Sequence, residues 1–195
     1  MFYQNPPSEA SLYTLLSQLE KLDQELAEET QEKGCRFCGG RLDSACYPRK
    51  ARGVPAELEE GFSTRHSFCC AREGCRKRIT PPSFRFLGRR VYAAAWVVLL
   101  TALAQGVTPG RARRLRELVG VSRRTLQRWR QWWRQEFVGT AFWKCARGRV
   151  GSAVSESTLP LSLLEAFSGN SGAEATMALL RFLLPLTTCS GRGAK

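Results

Sequence analysis

Leu12, Leu15, Leu19, Leu22 and Leu26 recur at steps of three and four, the period of one helix face. They predict an amphipathic helix over residues 8–33, with Glu20, Glu25, Glu28, Glu29 and Glu32 on its outer face. About three heptads is the least a dimerising coil needs, so packing against the rest of the chain is the preferred reading. Residues 62–68, FSTRHSF, alternate instead. That period predicts a strand with Phe62, Thr64, His66 and Phe68 on one face. Between the two lies YPRKARGVPAELEEG (47–61), read as a loop ending in that strand.

The longest apolar run, VYAAAWVVLLTALA, spans 14 residues from Val91 to Ala104. A membrane helix needs about 20, so the run predicts a buried helix, ended by Gly106. The next helix starts with Thr108 as its cap and Pro109 in its first position, and closes at Gly120. Its inner face is Ala112, Leu115 and Leu118, and Val121 plugs the turn. Ser122 then caps RRTLQRWRQWWRQEF, whose inner stripe is Leu126, Trp129, Trp133 and Phe137. Gly139, Gly148 and Gly151 mark a linker. Two weaker helices follow near 159–167 and 173–184, with Pro185 closing the second.

Charge changes this picture. The chain of 195 residues, enough for one domain or two small ones, carries a net charge of +13. Residues 1–60 hold 7 Lys/Arg and 11 Asp/Glu, residues 61–149 hold 20 and 3, and residues 150–195 hold 3 of each. The middle of the chain therefore carries the electrostatic footprint expected for a polyanion, nucleic acid before membrane. The N-terminus shows no basic stretch followed by a long apolar run, so a cytoplasmic, reducing setting is expected. There, closely spaced cysteines suggest metal rather than disulfide.

Residues 34–82 are rich in Cys, Gly and Pro and poor in core formers. A module of this kind needs a metal or a disulfide to fold. Cys35 and Cys38, followed by two glycines, form a C-x2-C knuckle, and Cys70 and Cys75 give a second pair with Gly74 before the last cysteine. Four thiolates are the set that a structural tetrahedral Zn2+ prefers. Cys69 competes with Cys70, and Cys70 is preferred because it keeps the strand parity of Phe68. Cys46, Cys145 and Cys189 have no partner at ligand spacing. His66, the single histidine, is read as a strand-surface residue.

The helix pair joined through Gly120, Val121 and Ser122 has helix-turn-helix character. Opposite the inner stripe of the second helix lie Arg124, Arg128, Gln131 and Gln135, with Arg123, Thr125 and Gln127 in its leading part. Arg can bond guanine in two places and Gln can pair with adenine, so this face suits major-groove reading. Arg111, Arg113, Arg114 and Arg116 are assigned to phosphates, together with Arg130, Arg134 and the cluster from Arg72 to Arg78.

CRFCGG, FCCAREGCRKRITPPSFRFLGRRVY and GVSRRTLQRWRQWW together resemble the N-terminal DNA-binding part of bacterial zinc-ribbon transposases of insertion sequences. They resemble more closely the short transposase-like proteins that keep only the ribbon and the helix pair. The resemblance covers about 34–140. It implies a zinc ribbon feeding straight into a DNA-reading helical module, in line with the mainly α fold with a small β zinc ribbon read from the residues. The segments would be an N-terminal helix (1–33), the ribbon (34–88), a three-helix helix-turn-helix module (89–140), and a linker with C-terminal helices (141–195). Full-length relatives cut DNA with three carboxylates holding two metal ions on an RNase H-like fold. This chain has two aspartates, Asp23 and Asp43, and after the helix pair only Glu156, Glu165 and Glu174. Binding is therefore carried over and catalysis is not.

The expectation is a non-catalytic, nucleoid-associated protein that binds double-stranded DNA. Its candidate partners are DNA, a separately encoded transposase or a second copy of the chain, with no membrane. An interaction adaptor, holding RNA or protein with only non-specific nucleic-acid affinity, is the alternative from another class.

Overall fold

The computed structural model describes residues 9–49, 62–87, 93–105, 119–151, 154–167 and 172–188, with Gly110, Arg113, Arg116 and Glu117 in addition. The leucine pattern near the start of the chain forms one helix, α1 (Glu9–Lys33). Leu15, Leu16 and Leu19 are buried in the larger of two apolar cores. Further along, Ala27 turns into the smaller core. One helix thus packs on both cores, in line with the packing reading. The side chain of Leu12 lies outside the described residues.

Two small antiparallel sheets follow. The first has the order β1 (Leu42–Ser44), β4 (Phe68–Cys70), β5 (Arg78–Ile79). The second pairs β2 (Tyr47–Pro48) with β3 (Thr64–Arg65). Leu42 faces Cys70, and Phe68 faces Ile79 across the first sheet. With Ala27 and Cys35 these residues make the smaller core.

The single strand expected over 62–68 is broken. His66 and Ser67 belong to neither β3 nor β4, and the two strands join different sheets. Burial consequently departs from the expected alternation: Arg65 and Ser67 are buried, while Thr64 and His66 are partly exposed. Arg65 turns inward because its Nη2 donates to the Pro81 carbonyl at 2.5 Å. Most of the loop over 47–61 lies outside the described residues.

The apolar run forms α2 (Ala94–Gln105). Its residues from Ala94 to Ala102 are all buried, because α2 is surrounded by α3 (Arg123–Gln131), α5 (Leu161–Ala166) and α6 (Gly172–Thr188). Burial on every side is why the segment has no polar face. The turn before α3 is closed from both ends. Gly120 N–H donates to the Glu117 carbonyl at 3.2 Å, and Val121 N–H to the Arg116 carbonyl at 2.8 Å. Those two bonds are a Schellman closure, and it requires the left-handed φ of +63° found at Gly120. Ser122 then caps α3, its Oγ accepting from Thr125 N–H at 3.2 Å. The cap expected at Thr108 and Pro109 lies outside the described residues.

The inner stripe of α3 does not stay α-helical. From Trp132 to Phe137 the chain winds as a π-helix. A four-residue step overshoots by about 40° in an α-helix. The wider π turn corrects this, so Trp129, Trp133 and Phe137 all stay buried. Trp132, which periodicity left unassigned, packs edge-on against Trp133 with ring centroids 4.8 Å apart.

Two further expectations fail here. The glycine-marked linker contains a helix, α4 (Ala141–Ala146). Thr140 caps it, and Trp143 is buried against Phe137, 5.1 Å between ring centroids. Pro185 does not close the last helix; α6 continues to Thr188. Its last turn is tied down, since Thr187 Oγ1 accepts from Ser83 N–H at 3.0 Å and donates to the Leu184 carbonyl at 2.7 Å.

A buried ion pair holds these parts together. Asp23 of α1 and Arg85 are both fully buried, with Arg85 Nε 2.9 Å from Asp23 Oδ2. Asp23 also accepts from Ser83 Oγ and from Phe84 N–H, each at 2.5 Å. Arg85 donates its remaining arms to the carbonyls of Phe62 (3.0 Å) and Thr64 (2.8 Å). Its guanidinium lies 5.4 Å from the Phe62 ring centroid and 5.3 Å from that of Phe86. All three guanidinium nitrogens and both carboxylate oxygens thus have partners, and such bonding is the condition under which buried charges are tolerated.

Removing one partner strands the other. Asp23→Ala is expected to cost about 3–5 kcal/mol. Asp43→Ala, which breaks the solvent-exposed pair with Arg41, is expected to cost under about 1 kcal/mol. Urea denaturation of the two variants checks this, and equal losses would overturn it.

Candidate metal centre and basic helix

Two turns carry the four cysteines. The first follows α1, where Gly39 N–H donates to the Cys35 carbonyl at 2.7 Å and Cys35 N–H to the Gly40 carbonyl at 2.9 Å. A Cβ at Gly40 would stand 3.3 Å from Cys70 Sγ and 3.4 Å from Cys38 Sγ, so any other residue there would press on the sulfurs. The second turn links β4 to β5 and is closed by Cys75 N–H to the Arg72 carbonyl at 3.1 Å.

The sulfurs converge. Cys35 Sγ is 3.7 Å from Cys75 Sγ, and Cys38 Sγ is 3.5 Å from Cys70 Sγ. All four lie within 4.8 Å of one another. An ion bound tetrahedrally by thiolates at about 2.3 Å needs sulfurs about 3.8 Å apart. The donor set and its spacing therefore fit a tetrahedral metal ion. Among the described residues this is the one cluster of His, Cys, Asp or Glu that could hold one.

Cys70 takes the position that Cys69 contested. Period-two alternation along β4 buries Phe68 and Cys70 on the same face. Cys69 points away, with its Sγ 3.4 Å from the Arg76 carbonyl. Cys46 is exposed, its Sγ 3.9 Å from His66 Nδ1, and Cys145 is exposed as well. Cys189 lies outside the described residues. Burial pushes the His66 imidazole below its ordinary range, with Arg85 acting in the same direction.

Four thiols this close cannot all ionise without a cation among them. A hydrogen bond from the Gly40 backbone, with help from Cys70 and Cys75, lowers the Cys38 thiol to about 6. Cys70 is pushed up to about 12: the Arg72 backbone works against the rise, but burial and the neighbouring sulfurs outweigh it. Cys75 is raised as well, against the Lys77 backbone, by burial and by Cys38 and Cys35. Without an ion, the negative charge settles on Cys38.

The basic helix lies elsewhere on the molecule. Arg123, Arg124, Gln127, Arg128 and Gln131 of α3 are exposed, as are Arg134 and Gln135. Thr125 is a correction: it is buried rather than presented, because the cap turns it inward. It serves the outer face indirectly, accepting from Arg128 Nη2 at 3.2 Å. Gln131 and Gln135 bond each other at 3.0 Å. Arg113 is exposed and Arg116 half-buried; Arg111 and Arg114 lie outside the described residues. Arg72, Arg76, Lys77 and Arg78 are exposed around the second cysteine turn.

The sequence carries one signal for the buried ion pair. Asp23 lies four residues after Leu19 and seven after Leu16, on the inner face of α1. A charge at such a position needs a buried partner. Nothing in the local pattern names Arg85 as that partner.

Compared with protein-family models, curated proteins and solved structures, the chain matches none. No helix of the described residues is long and apolar enough to cross a membrane.

Metal loading must displace protons from Cys70 and Cys75, the thiols held above their ordinary range. The affinity for Co2+, read from its thiolate charge-transfer absorption, is therefore expected to rise with pH near neutrality. The slope should be at least about two log units per pH unit. Cys70→Ser should weaken Co2+ binding and reduce that absorption, since three thiolates remain, and Cys69→Ser should leave both unchanged. The reverse pattern would refute the assignment.

Proposed function

We propose that the protein is a non-catalytic, transposase-like binder of double-stranded DNA, nucleoid-associated in the cytoplasm. Its four cysteines hold a structural Zn2+ in a small ribbon, and its helix pair acts as a helix-turn-helix. Helix α3 enters the major groove. The observation that carries this reading is the exposed Arg and Gln face of α3, which stands opposite a stripe locked by Trp129, Trp133 and Phe137. A groove reader needs such a face on a rigid support.

Within the reading, the roles divide by position. Arg123, Arg124 and Arg128 reach base edges, with Gln127 and Gln131 beside them. Arg113 and Arg116 meet phosphates from the preceding helix, as would Arg111 and Arg114. Thr125 holds Arg128 in place. Zn2+ contributes folding energy to a module whose own core is small. The non-catalytic part of the reading rests on the sequence, which has two aspartates, Asp23 and Asp43, and after the helix pair only Glu156, Glu165 and Glu174. A separately encoded transposase or a second copy of the chain would supply any partner function.

Selection of Zn2+-loaded protein against random duplexes at near-physiological salt tests this. The expected result is an enriched motif of several base pairs. Replacing both Arg124 and Arg128 by alanine should erase preference at the contacted positions, each lost bidentate contact costing about 1–3 kcal/mol. Retention without enrichment would sink the groove-reading role and leave the adaptor reading in its place.

A further inference from the structure

The tip of the first cysteine turn presents an aromatic ring to solvent. Phe37 is half exposed (50%), the one exposed large hydrophobic residue among the described residues. It sits between Cys35 and Cys38, so both of its flanks are fixed by the sulfur cluster. Two cations lie over its ring. Arg36 Cζ is 4.9 Å from the ring centroid, and Lys77 Nζ, reaching across from the second turn, is 4.2 Å away.

A single exposed aromatic is ordinary by itself. The surroundings are what set this one apart. Arg36, Arg72, Arg76 and Lys77 are all exposed in the two cysteine turns, with Glu73 the single carboxylate there. A metal cluster of four thiolates carries excess negative charge, and nearby cations could be there to offset it. Arg72 fits that role, because its Nη1 donates to the Cys38 carbonyl at 3.3 Å. Arg36 and Lys77 do not; they are gathered over Phe37. A π face ringed by cations matches one ligand closely. An unpaired nucleotide offers a flat base for the ring and a phosphate on either side for the cations.

We propose that Phe37 is a stacking site for an unpaired base of single-stranded nucleic acid, with Arg36 and Lys77 holding the flanking phosphates. An incoming base takes the place of a cation over the ring and leaves that cation for the backbone. A paired base cannot do this, because its faces are already covered in the duplex. The site is remote in sequence from α3 and uses none of its residues. It therefore stands whether or not the duplex reading holds.

The test uses the full chain, metal-loaded, and a short fluorescein-labelled oligothymidylate followed by anisotropy over a range of salt. Phe37→Ala is expected to weaken binding about 5- to 100-fold, with the salt slope unchanged, since stacking releases no counterions. Arg36→Ala and Lys77→Ala should each reduce the slope by about 0.7. Phe37→Trp should restore binding and show that the turn still folds; metal content per chain is the second check. The Arg124 and Arg128 double variant should keep single-strand binding, so a failure of the duplex reading leaves this result in place. If Phe37→Ala binds the oligothymidylate as the parent does, the proposal is overturned. An equal loss on a duplex of the same length overturns it as well.

Discussion

The buried pair of Asp23 and Arg85 is the constraint on which the rest of the structure depends. Each charge alone would cost several kcal/mol to desolvate, so neither can be buried without the other. Their bonds gather α1, the segment after β5 and the start of β3 into one knot. That knot sets where the cysteine sheet sits relative to the helical body. Both cores lean on α1, through Leu16 and Leu19 on one side and Ala27 on the other.

The two sites use rigidity differently. At the cysteine turns the backbone is bent so tightly that Gly40 is packed against sulfur, and the cluster closes the remaining freedom. Along α3 the rigidity comes from packing. Trp132, Trp133 and Phe137 pack edge-on or tilted against one another with Trp143 against Phe137, and the π turn keeps the aromatic side of the helix in register with the core. The basic face is then held as a fixed surface rather than a flexible fringe. Thr125 extends this control outward by bonding Arg128 from below.

Local patterns made much of this legible. The leucine steps located α1, the pairing and flanking glycines located the four thiols, and Ser122 located the start of α3. These features depend on neighbours a few residues away. What was hidden depends on distant ones. Arg65 turns inward for a carbonyl sixteen residues on, and Arg85 finds an aspartate sixty-two residues back. Helix α4 forms among glycines because Trp143 has an aromatic cluster to join. Likewise α6 runs through Pro185 with its end held by Ser83. The exposed Arg and Gln face of α3 was legible in the sequence, yet the inward turn of Thr125 was not, since it depends on the packing beneath the helix.

The adjacent cysteines in β4 have a consequence for how the cluster chooses its ligands. To a metal ion the two sulfurs are degenerate: same element, same charge, one residue apart. The sheet is not indifferent. Moving β4 by one residue to offer Cys69 would turn Phe68 out of the small core and strand Ile79 opposite it. Selection between the two thiols is made by hydrocarbon, not by coordination chemistry. Which of the two thiols joins the cluster is therefore a property of the protein's apolar packing.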